Sequence, residues 1–483
     1  MQEKLSGKLY KLWGIKREFL LKILLLSATY FFLMACHVIW KPLKYSLFGQ
    51  IVGTSSVPFA KISSLLFLIP LILLYSKLVD WLRRHHLLYF FTISHALGGL
   101  FFYYFISHPV YGIANSDTGP SRYIGWLFYF FMESFDAFLS TTFWSFADSV
   151  NNANDAKYYY GFFVSGSKIG GMLTAATLYF VLTGATAESQ LAIIPNALLI
   201  GSGMLFAAAS CIYLLVKKVP EGIMHGYEKV YQLEKHKDVE ATDNETPKAL
   251  PTQFQGFMRS VMSAFDGLTL MVKSAYVMGI FSLVFFYEII IAIFDYLVML
   301  RAESAHPSIG SMTAYYALYF FIMNGIGLCI SLFGTTPLLR ILGIRMSLFA
   351  FPLICLIMLG ITFIFPQGWI LFGTLIGLRA FNYALNHPTR EVLYIPTTKD
   401  IKFKAKTWTD AFGSRIAKGF GSFFNLALQS VTPAIALFSS ITFSLGLTGI
   451  WLVITYFLGK TLQSAIDHNR IIGETKETKN TAQ

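Results

Sequence analysis

YVMGIFSLVFFYEIIIAIFDYLVM, residues 276–299, decides the fold. Its 24 residues include only two charges, Glu288 and Asp295. A bilayer core about 30 Å thick is crossed by roughly 20 mostly apolar helical residues, so this run reads as a membrane span. Comparable runs extend outward from it on both sides. On the N-terminal side they fall near 19–40, 57–80, 87–107, 123–147, 159–183 and 191–216. On the C-terminal side they fall near 313–335, 344–365, 367–388, 410–433 and 436–458. Between the two groups, residues 217–256 are polar, charged and Pro-containing and read as a solvated linker. Residues 257–275, FMRSVMSAFDGLTLMVKSA, have the pattern of an amphipathic helix on the membrane surface.

Composition agrees. Of 483 residues 55% are hydrophobic and 13% charged, where a soluble chain would carry about 25% charge. Lys and Arg number 38 against 26 Asp and Glu. The excess lies mainly in segments between apolar runs, so topology accounts for it and a nucleic-acid partner is not expected. Cys36, Cys211, Cys329 and Cys355 all fall inside apolar runs at irregular spacing, without a Cys-x-x-Cys pair. They read as packing residues, with no metal site or disulfide framework. The basic N-terminus shows no small-residue cleavage site and no long transit peptide, so no removable leader is expected.

Basic residues set the orientation. Lys16 and Arg17, Arg83 and Arg84, Lys217 and Lys218, Arg340 and Arg345, and the lysines of 399–406 lie in alternate loops. The opposite loops hold little beyond Arg122 and Arg301. Both termini and the linker are therefore expected on the cytoplasmic side, which requires an even number of spans. A shift of 247 residues superposes Gly166-Ser167-Lys168-Ile169 on Gly413-Ser414-Arg415-Ile416 and Lys41 on Glu288. The expectation is an all-α membrane protein of about twelve transmembrane helices in two six-helix halves, major-facilitator-like. Its parts are an N-terminus (1–18), a first half (19–216), a linker with its amphipathic helix (217–275), a second half (276–458) and a polar tail (459–483).

Several charges sit where they are expensive, at ~2.5–3.5 kcal/mol or more at the bilayer centre. Glu133 and Asp136 lie one turn apart in span four, and Glu288 and Asp295 seven residues apart in span seven. Lys168 lies in span five, Arg379 in span ten, Arg415 and Lys418 in span eleven, and Lys41 and Lys44 flank Pro42-Leu43 at the expected end of span one. Either lysine of that pair is as well explained as a snorkelling anchor as a ligand. Glu133 and Glu288 are too short and too deep for that, and are expected to face a polar cavity with Lys44, Arg379, Arg415 or Lys418 as partners. A cavity lined by several cations and a few carboxylates suits a multiply charged anion, with Arg able to hold phosphate bidentately. The carboxylates can hold the cations while the site is empty, or accept hydrogen bonds from a base or ribose. Phe, Tyr and Trp would stack on a base. No G-x-x-x-x-G-K-[ST] or His-Glu-x-x-His motif occurs, so neither an ATP-driven pump nor a zinc protease is indicated.

Four stretches carry a family resemblance. They are FFLMACHVIWKPLKYSLFG (31–49), LFYFFMESFDAFLSTTFWSFADSVNNANDAKYYYGFF (127–163), VFFYEIII (284–291) and REVLYIPTTKDIKFKAKTWTDAFGSRIAKG (390–419). With them the chain resembles the ATP/ADP translocase (nucleotide transporter) family of obligate intracellular bacteria and plastids. The resemblance implies roles in transport for Lys44, Glu133, Glu288 and Lys418. It departs from the family pattern at Tyr45, at Lys41-Pro42 and at Ala417-Lys418-Gly419.

The expected function is ATP/ADP antiport by alternating access, with substrate-binding residues Lys44, Glu133, Glu288, Lys418, Lys41, Arg379, Arg415, Lys168 and Asp295. Exchange would be obligatory if an empty, strongly positive site resisted reorientation. The alternative is a proton-coupled symporter of nucleotides or of another anionic metabolite such as a nucleotide cofactor. The expected partners are a small-molecule nucleotide and membrane lipid, with no nucleic acid. The expected state is a monomer without cofactor, metal or catalytic residues, in a bacterial inner membrane or, as a second choice, a plastid inner envelope.

Overall fold

The structure, a computed structural model, describes residues 17–151, 153–220, 223–224, 269–333, 335–386, 389–390, 393–394, 396–398, 401, 405–406, 409, 413–468 and 472. Most of the linker, and residues 257–268 of the expected surface helix, lie outside them.

Helices α1 (Arg17–Ile51), α2 (Val57–Trp81), α3 (Arg84–Ser107), α4 (Tyr123–Val150), α5 (Ala153–Thr183) and α6 (Ala187–Lys218) precede the linker. Helices α7 (Ala275–Ala305), α8 (Ile309–Phe333), α9 (Thr335–Ile364), α10 (Gly368–Phe381), α11 (Ser414–Ala427) and α12 (Pro433–Asp467) follow it. Helix is the economical state for these sequences, because inside a bilayer each backbone N–H and C=O must find its partner within the segment. Eight of the helices are long and apolar enough to cross a membrane, and α10 is apolar but short. The protein is an integral membrane protein.

Three ends differ from expectation. Helix α1 does not stop at residue 40 but runs through Pro42 to Ile51. Proline removes one i→i−4 hydrogen bond, and close packing of α1 against its neighbours keeps the helix intact. Lys41 and Lys44 are therefore inside a helix, not at its margin. Helix α10 passes into a π-turn at Asn382–Asn386, and α11 ends at Ala427 rather than near 433. Thr397 pairs with Ile472 in an isolated bridge, where Ile472 N donates to Pro396 O at 2.7 Å.

The described residues fall into two compact units. One draws on Met1–Ser56, Leu66–Lys248 and Ala302–Gly325, the other on Val57–Leu65, Ala249–Arg301 and Ile326–Gln483. Helices α2, α7 and α8 are each divided between them. In the first unit small residues bring α5 onto α1. A Cβ on Gly166 would sit 3.0 Å from Ser27 O, and one on Gly170 2.7 Å from Phe31 O. That close approach is the small-residue packing used between membrane helices. Trp40, fully buried, fills the space left by Gly99 of α3 and Gly201 of α6. On the outer side of the expected topology, Arg122 organises the loop before α4 by donating to the carbonyls of Asn115, Asp117, Tyr111 and Gly112 at 2.5–3.1 Å.

Candidate functional site

Each unit gathers its own cluster of buried charge. In the first, His37, Lys41 and Lys44 are spaced four and three apart, which places them on one face of α1. Glu133 and Asp136, three apart, share a face of α4. The two faces meet. Lys44 is buried and its Nζ donates to Glu133 Oε1 at 2.5 Å. The same ammonium lies 4.4 Å from the centre of the Tyr129 ring and 5.5 Å from that of Tyr45. One turn away, Lys41 Nζ stands 3.2 Å from Asp136 Oδ2, and His37 Nε2 stands 2.5 Å from Asp136 Oδ1. Lys44 therefore does not snorkel. Its position inside α1 makes it a buried, paired charge rather than an anchor at a helix end.

Lys168, on α5, is not part of these pairs as described. Its Nζ lies 3.3 Å from Asn324 Oδ1 of α8.

The second cluster is built on α7. Arg379, in the last turn of α10, places Nη2 at 2.7 and 2.8 Å from the two oxygens of Asp295. Lys61, in the first turns of α2, adds its Nζ at 3.7 Å. Two turns back along α7, Glu288 faces Lys418 of α11 at 3.6 Å, with the lysine half-exposed. Gly421 and Asn425 explain why α11 reaches α7 here. A Cβ on Gly421 would lie 2.8 Å from Ile289 O, and Asn425 Nδ2 donates to Ala292 O at 3.2 Å. Arg415 is half-buried one turn before Lys418.

The sequence offered Lys44, Arg379, Arg415 and Lys418 as partners of the two glutamates without assigning them; Lys44 meets Glu133 and Lys418 meets Glu288. Arg379 pairs with Asp295 and not with either glutamate. His37 and Lys61 were not singled out. His37 was legible as the residue four before Lys41, and Lys61 as a lone charge early in an apolar run.

Chemically, every one of these pairs is a cation held by a carboxylate in apolar surroundings. An anion with more charge and more oxygens can replace the carboxylate, and an arginine clamped by one carboxylate offers the geometry that phosphate uses. The fold is that of a membrane transporter. The D-xylose-proton symporter aligns over 92% of this chain and 96% of its own, with TM-score 0.55 and 14% identity. The inward-open xylose transporter XylE from E. coli aligns over 94% and 96%, with TM-score 0.56 and 13% identity. A peptide transporter POT mutant bound to alafosfalin aligns over 90% and 95%, with TM-score 0.55 and 12% identity.

The family is more specific. The model of the TLC ATP/ADP transporter family matches residues 121–462, and the chain belongs to that family. The ADP,ATP carrier protein 1 of Rickettsia conorii (strain ATCC VR-613 / Malish 7) is 20% identical over 466 residues, covering 88% of this chain and 89% of the relative.

Proposed function

We propose that the protein exchanges ATP for ADP by alternating access across a bacterial inner membrane, as a monomer with both termini and the linker on the cytoplasmic side. In each cluster, taken by itself, phosphate would displace the carboxylate: Glu133 from Lys44 in one, Asp295 and Glu288 from Arg379 and Lys418 in the other. The observation that carries this reading is the Lys44–Glu133 pair at 2.5 Å, an ammonium buried inside a helix bundle with a carboxylate where a phosphate would sit. Lys41, Arg415 and Lys168 supply further positive potential. No bond of the nucleotide is broken, so no cofactor or catalytic group is required.

The empty clusters also bear on why exchange would be obligatory. Lys41 and Lys44 stand against Glu133 and Asp136, and the two carboxylates of α7 stand against Arg379, Lys61 and Lys418. The first cluster is then neutral by itself, and the second carries one cation more than it has carboxylates. The closed ion pairs then act beside the excess positive charge in holding the unloaded protein in place. Nucleotide opens them, and a counter-nucleotide must take its place for the return step.

The test is uptake of labelled nucleotide into liposomes preloaded with ADP, in competition with unlabelled ATP, ADP, GTP, NAD and phosphate. Lys44→Ala and Glu288→Ala are expected to abolish exchange while the protein still inserts. Normal exchange by both variants overturns the reading.

A further inference from the structure

One buried titratable group is left unused by this scheme. His37 lies on α1, one turn from Lys41 and two from Lys44, with Nε2 at 2.5 Å from Asp136 Oδ1. Its ring stacks on Phe135, with centroids 5.6 Å apart. Its Nδ1 is buried without a hydrogen-bond partner among the described residues. With Nε2–H donating to Asp136, Nδ1 carries the lone pair, and a proton added there makes an imidazolium whose counter-charge is already in place. Asp136 would then neutralise two cations, His37 and Lys41, where it now serves one cation and one neutral base.

Other groups facing this ring do not compete for that role. On its own helix are Lys41, 3.4 Å from Nε2, and Lys44, bound to Glu133. On α4 the charged groups are Glu133 and Asp136 themselves. From α3, His95 lies on the other side of Phe135, but both its nitrogens are engaged, Nδ1 with Phe91 O at 2.7 Å and Nε2 with Ser134 Oγ at 3.2 Å. From α5 the charged residue whose side chain is described is Lys168, with its Nζ 3.3 Å from Asn324 Oδ1. Helix α6 carries no charge between Glu188 and Lys217, and the part of α8 in this unit, up to Gly325, carries none after its start.

We propose that His37 is a proton site coupled to the nucleotide, occupied when ATP is carried and empty when ADP is carried. This rests on the exchange reading above. ATP has one phosphate more than ADP, hence about one more negative charge above the last phosphate ionisation. A fixed set of cations exchanging the two moves one net charge. A proton bound at Nδ1 with ATP and released with ADP cancels it, so three negative charges travel each way and the exchange is electroneutral but proton-linked.

The two cases differ in what drives the final ATP:ADP ratio across a liposome membrane. Movement of one charge is worth ~2.3 kcal/mol at 100 mV, or about a 50-fold shift in that ratio. Movement of one proton without net charge shifts it about tenfold per pH unit and not at all with potential. The assay imposes a potassium diffusion potential at equal pH, or a pH step at zero potential, on the full-length protein in liposomes, at pH values above the last phosphate ionisation. The wild type is expected to follow the pH step and ignore the potential. His37→Gln is expected to do the reverse, and His95→Gln to behave as the wild type. A wild type that follows potential and ignores pH overturns the proton site while leaving the exchanger intact, and needs no variant to fold. A His37→Gln protein that keeps the wild-type pH response overturns it as well. Absence of any ATP-for-ADP exchange by inserted wild type removes the exchange reading and this proposal together.

Discussion

Lys44→Met separates the structural from the transport role of the buried pair. The Lys44 side chain is 3% exposed and that of Glu133 23%. Breaking a fully buried pair from one side costs about 3–5 kcal/mol, because the remaining charge has no counter-ion. Glu133 reaches some solvent, so the cost here is about 2 kcal/mol, with ~0.5–1 kcal/mol more from the lost contact between the ammonium and Tyr129. Glu133→Gln alone strands the lysine and costs a similar amount. The double variant Lys44→Met/Glu133→Gln leaves no buried charge, and should recover stability to within ~1 kcal/mol of wild type. The cycle should therefore show a coupling of at least ~1.5 kcal/mol. The assay pairs the thermal midpoint of the detergent-solubilised protein with nucleotide exchange in liposomes. Both single variants should lose a few degrees and all exchange. The double variant should regain the degrees and none of the exchange. A double variant that exchanges at the wild-type rate refutes the argument, since the pair would then be a packing element alone.

Asp295→Asn should destabilise more than Glu288→Gln, because it leaves Arg379 and Lys61 without their carboxylate, whereas Lys418 is half-exposed and 3.6 Å from its partner. Glu288→Gln is expected to stay within ~0.5 kcal/mol of wild type and still lose exchange, as read by melting and uptake on the same preparation. A methyl group on Gly201 would fall 2.1 Å from Trp40 Nε1, while one on Gly203 meets nothing within 4 Å. Gly201→Ala should cost about 1–3 kcal/mol in the melting assay, and Gly203→Ala should be silent. Lys22, buried on α1, donates to the carbonyls of Val150 at the end of α4 and Ile223 after α6. Lys22→Met should lower the melting temperature by an amount equivalent to ~1–3 kcal/mol, and added salt should not restore it, because the lost bonds are buried.

The helices were legible because lipid imposes a length and a composition on them. The run 276–299 says so by itself, and the positions of Glu288 and Asp295 within it mark them as functional by their cost. What sequence misjudged was the end of α1. Lys41, Pro42 and Lys44 interrupt the apolar pattern, and that pattern is the only local signal of a span. Whether the helix continues is decided by what surrounds it, here α4, α5 and α6. The pairings were out of reach for a related reason. Glu133 is 89 residues from Lys44 and Asp295 is 84 from Arg379. Helical phase tells which residues share a face, but not which face of another helix it meets. His37 looked like an ordinary polar residue in an apolar run until Asp136 was found against it.

The two clusters also bear on the duplication expected from sequence. In the first unit the cations are on α1 and the carboxylates on α4. In the second the carboxylates are on α7 and the arginine on α10. The 247-residue shift that superposes Gly166-Ser167-Lys168-Ile169 on Gly413-Ser414-Arg415-Ile416 superposes Lys41 on Glu288, so the sign is exchanged where the position is kept. Such an exchange is tolerated only if the partner changes sign as well, since a lone charge in hydrocarbon costs ~2.5–3.5 kcal/mol or more. Lys41 meets Asp136 of α4 and Glu288 meets Lys418 of α11, so what recurs at the matched position is a paired charge, not a particular side chain or partner helix. That requirement fits a carrier whose charges must be safe in lipid when empty and available to phosphate when loaded.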